Sequence, residues 1–400
     1  MRLQSSQAVR HGEQNVEHLL RRAGFGASQD EIDAYLRSGF SNTVDYLLRF
    51  DRIPDEVDSW VGRPGYIGMT VANGPFAPGQ NITHARQRWI FRMVHSPRPL
   101  QEKMTLFWHN HFATAYSKIS GALGPAEGAR YMAAKPSEDP NQVRGQIETL
   151  RTMALGNFRD ILVAMAKDVA MLVWLDGRQN VKAQPQENFG RELMELFTMG
   201  VGHYTEQDVY AAARVFTGWN LTRSANAYLT FNYNAAQHDT TAKEFTFAVS
   251  TGGSKTIPAR SADSGQQDGL DFIDAVARHP ATGPRLATKL YRFFISEVDK
   301  PDPALIDEMA RIYYQFGFEM MPVVAHLLRS PQFLANASRY ARYSWPIEFV
   351  VRAIKEVGWN GFAISDANVL NPLLAMGQQL YEPPDVNGWA LGPGWFSSGG

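Results

Sequence analysis

Apolar residues recur at every third or fourth position along most of this chain. That spacing constrains the fold more than any other feature, because it is the period of one face of an α-helix and not of a strand. It predicts helices near 14–23, 29–50, 83–95, 99–113, 125–134, 141–154, 157–168, 186–200, 205–218, 267–279, 283–297, 303–316, 319–329 and 346–357. Strand-like alternation is scarce, so the expected fold class is mainly α. With 400 residues, 44% of them hydrophobic and 12% aromatic, the chain can bury a large core, and it reads as one helical domain over 1–400. Two irregular insertions, 62–81 and 225–257, interrupt it. In the second, Tyr228–Tyr233 and Phe245–Phe247 are expected to pair as one small β-hairpin near 228–248. After the breaker Gly200-Val201-Gly202, the run Thr205-Glu206-Gln207-Asp208 reads as a capping box that opens a new helix.

Charge and composition exclude several functions. Lysine and arginine number 39 against 40 for aspartate and glutamate. The basic residues are dispersed, so neither a nucleic acid nor an anionic membrane surface is an expected partner. The absence of cysteine rules out disulfides, thiolate metal sites and a cysteine nucleophile, while leaving the compartment open. No window approaches the roughly 18 apolar residues of a membrane span, and the first residues lack the apolar stretch of a signal peptide. The sequence has no glycine-rich phosphate loop, Gly-x-Ser-x-Gly elbow, His-Glu-x-x-His helix or dinucleotide fingerprint.

Four groups of residues could carry chemistry. On a helix, Glu187, Asn188, Arg191, Glu192 and Glu195 fall in one stripe of roughly 140°. Read plainly, it is a solvated face laced by i,i+4 ion pairs. Asn188, Glu192 and Glu195 also suit a hard cation or a polar substrate, with Arg191 fixing the carboxylates. In Phe107–Phe112, His111 shares the core face with Trp108, whereas His109 lies about 200° away. One metal cannot take both unless the helix ends or distorts there; a satisfied core histidine is the plain alternative. His238, Asp239 and Lys243 bring imidazole, carboxylate and amine into one irregular segment, fit for a ligand, an acid/base pair or simply a solvated turn. Finally Trp219, Trp389 and Trp395 sit beside Gly and Pro, where an indole either stacks on a sugar or plugs the end of a helical bundle.

Taken together, several runs resemble the bacterial family called domain of unknown function 1800. They are His18–Gly26 (His-Leu-Leu-Arg-Arg-Ala-Gly-Phe-Gly), Phe107–Phe112, Leu175-Asp176-Gly177, Glu187–Gly200, Tyr204–Val209, Ala213–Trp219, His238-Asp239, His279–Thr282 and Pro383–Trp389. The resemblance implies a helix-rich, usually exported protein, periplasmic or extracellular, often encoded beside a second uncharacterised family related to sulfatases. It supplies no reaction. It raises the weight of the Glu187–Glu195 stripe, because a merely solvated face would not be a family signature. Relative to that family the C-terminal end is expected to be truncated.

The favoured expectation is a metal-assisted hydrolase of a polar substrate, glycan or ester-type. In it a divalent ion is held by Glu192, His109, His111 and His238; Glu192, Glu195, Arg191, Asp239 and Lys243 are catalytic; and Asn188, Trp108, Trp219 and Trp389 bind substrate. The alternatives are a non-catalytic scaffold for the sulfatase-related neighbour, and a metal-independent carbohydrate-active enzyme with paired carboxylates.

Overall fold

The most deeply buried helix, Pro99–His111, organises the fold. Proline opens it at a position that needs no N–H donor, and every side chain from Leu100 to His109 is buried, with His111 beyond them. A helix apolar on only one face could not occupy this place. Here the two charged residues of the first turns, Glu102 and Lys103, enter the core with their partners. Glu102 lies 2.7 Å from Arg92 Nε and 3.0 Å from Arg151 Nε, and Lys103 pairs with Glu348, which Arg342 also holds at 2.6 Å. Buried charge is tolerated when it is paired in this way.

The structure is a computed structural model in which the described residues are 2–72, 74–226, 228–247 and 254–395, with side chains from residue 12 onward. Helix accounts for 58% of the chain, and the fold is mainly α. One continuous apolar core runs from Leu19 to Trp389 through nearly all the helices. Beside it, Val16, Leu20 and Ala27 form a small satellite under Ile32, Tyr35 and Leu36.

Most predicted helices occur within a few residues of their expected bounds, including Ile82–His95, Pro125–Ala133, Gln266–Arg278, Pro303–Gln315 and Pro346–Val357. The stretch 29–50 is two helices, Gln29–Ser38 and Phe40–Leu48, because Gly39 turns the chain at φ +77°. The capping box is present: Thr205 and Asp208 bond each other's backbone N–H at the start of Glu206–Val215.

Among the described residues the sheets are all two-stranded. Tyr228–Tyr233 and Phe245–Phe247 do not pair with each other. Leu229–Tyr233 pairs antiparallel with Trp219–Arg223, and Lys243–Phe245 with Lys255–Ile257. Each segment finds its partner nearer in sequence, which costs less loop closure. The end of the expected hairpin at 248, and positions 73, 227 and 248–253 of the two insertions, lie outside the described residues.

Candidate active site

The signature run Glu187–Gly200 folds in two parts. Asn188–Glu192 is α-helical, and Leu193–Phe197 widens into a π-helix, a form concentrated at functional sites. The end of a helix leaves its last carbonyls without helical donors, and here several are answered from outside the helix. Thr198 Oγ1 donates to Leu193 O (2.6 Å) and the Gly200 N–H to Met194 O (2.9 Å). Lys289 Nζ donates to Leu196 O (3.0 Å), and His111 Nε2 donates to Phe197 O (3.0 Å). Lys289 also reaches His111 Nδ1 at 3.0 Å. Since the Phe197 carbonyl can only accept, the imidazole proton sits on Nε2 and, in the neutral ring, Nδ1 accepts from Lys289.

Two residues of the stripe face this end of the helix. Glu192 and Glu195 are both half-buried. Burial, and then the neighbouring Glu195, raise the Glu192 pKa against the opposing charge of Arg191. Glu195 accepts a hydrogen bond from the Tyr204 hydroxyl, whose own pKa is pushed up to about 12 by burial and by that carboxylate. Arg285, one turn before Lys289 on the helix Thr282–Phe294, lies in the field of Glu195 and Tyr204. Its Nε is buried without a hydrogen-bond partner among the described residues. Gly200 allows this approach: at φ +91° it has no side chain, and a Cβ there would lie 2.8 Å from the Arg285 guanidinium. Burial and the Arg285 charge push the Lys289 amine down to about 7. Burial and the Lys289 charge hold His111 well below its ordinary value, hence neutral.

The result is a carboxylate pair, a phenol, a guanidinium and an amine that titrates near neutrality, gathered at one helix end. Such a set can give and take protons and steady negative charge. Residues 18–400 match the protein family described as Protein of unknown function (DUF1800). The chain belongs to this family. No curated protein and no solved structure matches it. Three of the family runs, Phe107–Phe112, Glu187–Gly200 and Tyr204–Val209, meet here through the His111–Phe197 and Tyr204–Glu195 hydrogen bonds.

The other expected site residues are elsewhere. Asn188 is exposed. Arg191 makes no ion pair with Glu192 or Glu195: it binds Glu206 through two nitrogens (2.8 and 2.7 Å) and Glu187 at 3.2 Å, on the surface, and reaches the group only through its charge on Glu192 and its contact with Tyr204. That part of the stripe is the solvated face of the plain reading. His109 is fully buried between Trp89, Tyr381 and Trp389, with both ring nitrogens unpartnered among the described residues and its pKa pushed down to about 3 by burial. It and His111 lie on opposite sides of a regular helix.

His238 and Lys243 converge on Asp268, which also takes Arg260. His238 Nε2 is 3.2 Å, Lys243 Nζ 2.5 Å and Arg260 Nη1 2.5 Å from its carboxylate. Thr217 Oγ1 lies 3.3 Å from His238 Nδ1, so Asp, His and Thr stand in the order of a nucleophilic triad. The hydroxyl, however, is fully buried, donates to Arg214 O (2.7 Å) and accepts from Asp239 N (2.9 Å). This network is satisfied internally and positions the insertion. Asp239 is bound by Arg214 at 2.8 Å; burial opposes ionisation, but Arg214 and Thr241 hold its carboxyl well below the usual range. Neither Asp239 nor Lys243 belongs to the helix-end group.

His109, His111, His238 and Glu192 are therefore not a ligand set, and among the described residues no three His, Asp or Glu side chains are placed to hold a metal ion. Nor are the tryptophans sugar platforms. Trp108, Trp219 and Trp389 are each at most 3% exposed, and stacking needs an open face. Trp108 donates to Ala154 O (2.8 Å), Trp219 packs on Phe216 and Phe231, and Trp389 packs on His109 and Trp345. All three plug the bundle.

Reading by sequence spacing missed Arg285, Lys289 and Asp268, because each comes from a helix distant in sequence. Tyr204 lay within a family run and was available as a signal.

Proposed function

We propose that the chain is a hydrolase of a polar substrate, glycan or ester-type, working by general acid–base chemistry without a bound metal at the end of the Glu187–Phe197 helix. Glu192 is the proton donor and Glu195, held by Tyr204, the partner carboxylate; Arg285 and Lys289 steady the negative charge that develops on the substrate. The observation that carries this reading is the Glu192–Glu195 pair, in which burial and the second carboxylate favour the protonated form of Glu192. Environments that separate the proton affinities of adjacent carboxylates mark acid and base roles.

The test is hydrolysis of a panel of 4-nitrophenyl glycosides and esters by wild type, Glu192→Gln and Glu195→Gln. Turnover that falls about 100-fold or more in the Gln variants supports the reading; turnover equal to wild type in both would overturn it. Elemental analysis of unchelated protein accompanies the assay, and a stoichiometric divalent ion would contradict the metal-free form.

A second reading, a non-catalytic partner of the sulfatase-related neighbour, draws on the Asp268 network, where the family-run residues His238 and Thr217 are buried and hydrogen-bonded. Co-purification of the two proteins, undiminished by Glu192→Gln, would favour it.

A further inference from the structure

The run His18–Gly26 contributes nothing to the helix-end group, yet it builds one wall of a cavity. This cavity has a volume of about 360 Å³, and five of its lining residues are arginines: Arg21, Arg22, Arg339, Arg342 and Arg352. The carboxylates beside them are largely committed. Glu348 is taken by Lys103 and by Arg342 at 2.6 Å. Glu356 lies 3.7 Å from Arg352, and Glu297 lies 3.7 Å from Arg342 Nε. Positive charge is left in excess at the cavity.

The two innermost arginines are fixed. Arg22 donates to Ser338 O at 2.6 Å, and the Arg342 guanidinium lies over the rings of Phe293 (4.9 Å) and Trp345 (5.7 Å). Both are buried, and Arg22 Nε, Arg342 Nε and Arg342 Nη2 have no hydrogen-bond acceptor among the described residues. Buried donors of this kind are rare without a partner, and guanidinium groups suit the geometry of tetrahedral oxyanions. Burial and the charges of Arg342 and Arg21 push the Arg22 pKa down to about 9, a cost that an anion in the cavity would relieve.

We propose that this arginine-lined cavity binds a tetrahedral oxyanion, phosphate or sulfate, free or as the terminal group of a monoester, with Arg22 and Arg342 as the inner donors and Arg21, Arg339 and Arg352 at the rim. The site is separate from the Glu192–Glu195 pair and does not depend on hydrolysis there.

Isothermal titration calorimetry at low salt, on the full chain, tests this with inorganic phosphate, inorganic sulfate and 4-nitrophenyl phosphate. The expected result is binding at one site per chain, weakened about tenfold or more by Arg22→Gln, since a hydrogen bond to a charged group is worth at least that factor. Arg352→Gln, which removes a half-buried rim charge, is expected to fold and to weaken binding severalfold, and it decides the matter if Arg22→Gln does not fold. Tighter binding of the ester than of the free ions identifies a monoester as the ligand; equal or weaker binding identifies the free ion. No binding by any of the three probes, or binding unchanged in the folded variants, would overturn the proposal.

Discussion

Lys289 Nζ lies 3.0 Å from His111 Nδ1, and the opposite ring nitrogen of the same histidine is 3.0 Å from Phe197 O. One imidazole thus ties the buried Pro99–His111 helix to the π-helix that carries Glu195 and to the helix that carries Arg285. The cost falls on Lys289, whose amine is moved from the ordinary 10.5 to about 7. Between those values the unfolded chain binds more protons than the folded one, so this residue makes stability rise with pH from about 7 towards 10. Lys289→Met is expected to remove that part of the rise, measured as the difference in Tm between variant and wild type across the window. A difference that stays constant with pH would contradict the depressed amine.

Glu102 is fully buried between Arg92 and Arg151. Glu102→Ala leaves two buried guanidinium groups short of a partner and is expected to cost about 3–5 kcal/mol by chemical denaturation. A loss under about 1 kcal/mol would mean that water or other groups replace the carboxylate there.

Asn110 links two family runs, since its Oδ1 accepts the Trp389 N–H at 2.7 Å. Gly388, at φ +85°, faces the same asparagine so closely that a Cβ would collide with it. Gly388→Ala is expected to destabilise by at least about 1–3 kcal/mol through backbone strain and collision. Asn110→Ala, which leaves the Trp389 N–H without its acceptor, is expected to cost about 1–3 kcal/mol. Both are read from denaturant midpoints at unchanged slope.

Arg191 pairs with Glu187 and Glu206 on the surface, and its charge also reaches Tyr204 and Glu192. Arg191→Ala is expected to change stability by no more than about 1 kcal/mol and to raise the Glu192 pKa further, with a loss of hydrolysis well short of the roughly 100-fold fall expected of Glu192→Gln. Equal loss of activity in both variants would return Arg191 to the site.

How much of this was legible follows from the range of each signal. The three-and-four spacing located the helices because it is local, and it separated His109 from His111 correctly because both belong to one regular helix. It could not show the π-helix at Leu193–Phe197, whose apolar spacing resembles that of an α-turn, nor the break at Gly39 inside a continuous amphipathic pattern. The stripe on Glu187–Glu195 was real in part. Its N-terminal residues, Glu187, Asn188 and Arg191, meet solvent and Glu206, while Glu195 meets Tyr204 and the field of Arg285, and Glu192 lies beside Glu195. Spacing within one helix says nothing about what two later segments bring to it. For the same reason His238 and Lys243 looked like loose loop chemistry until Asp268, 30 residues beyond His238, closed the network.

The measurement closest to the central claim is a carbon-detected NMR titration of the glutamate carboxyls in wild type and in Glu195→Gln. The account predicts that Glu192 titrates above the ordinary value of about 4.3 in wild type, and that its midpoint falls when the neighbouring negative charge is removed. A Glu192 that titrates at or below the ordinary value, or whose midpoint does not move in Glu195→Gln, would contradict the carboxylate pair as an acid–base site.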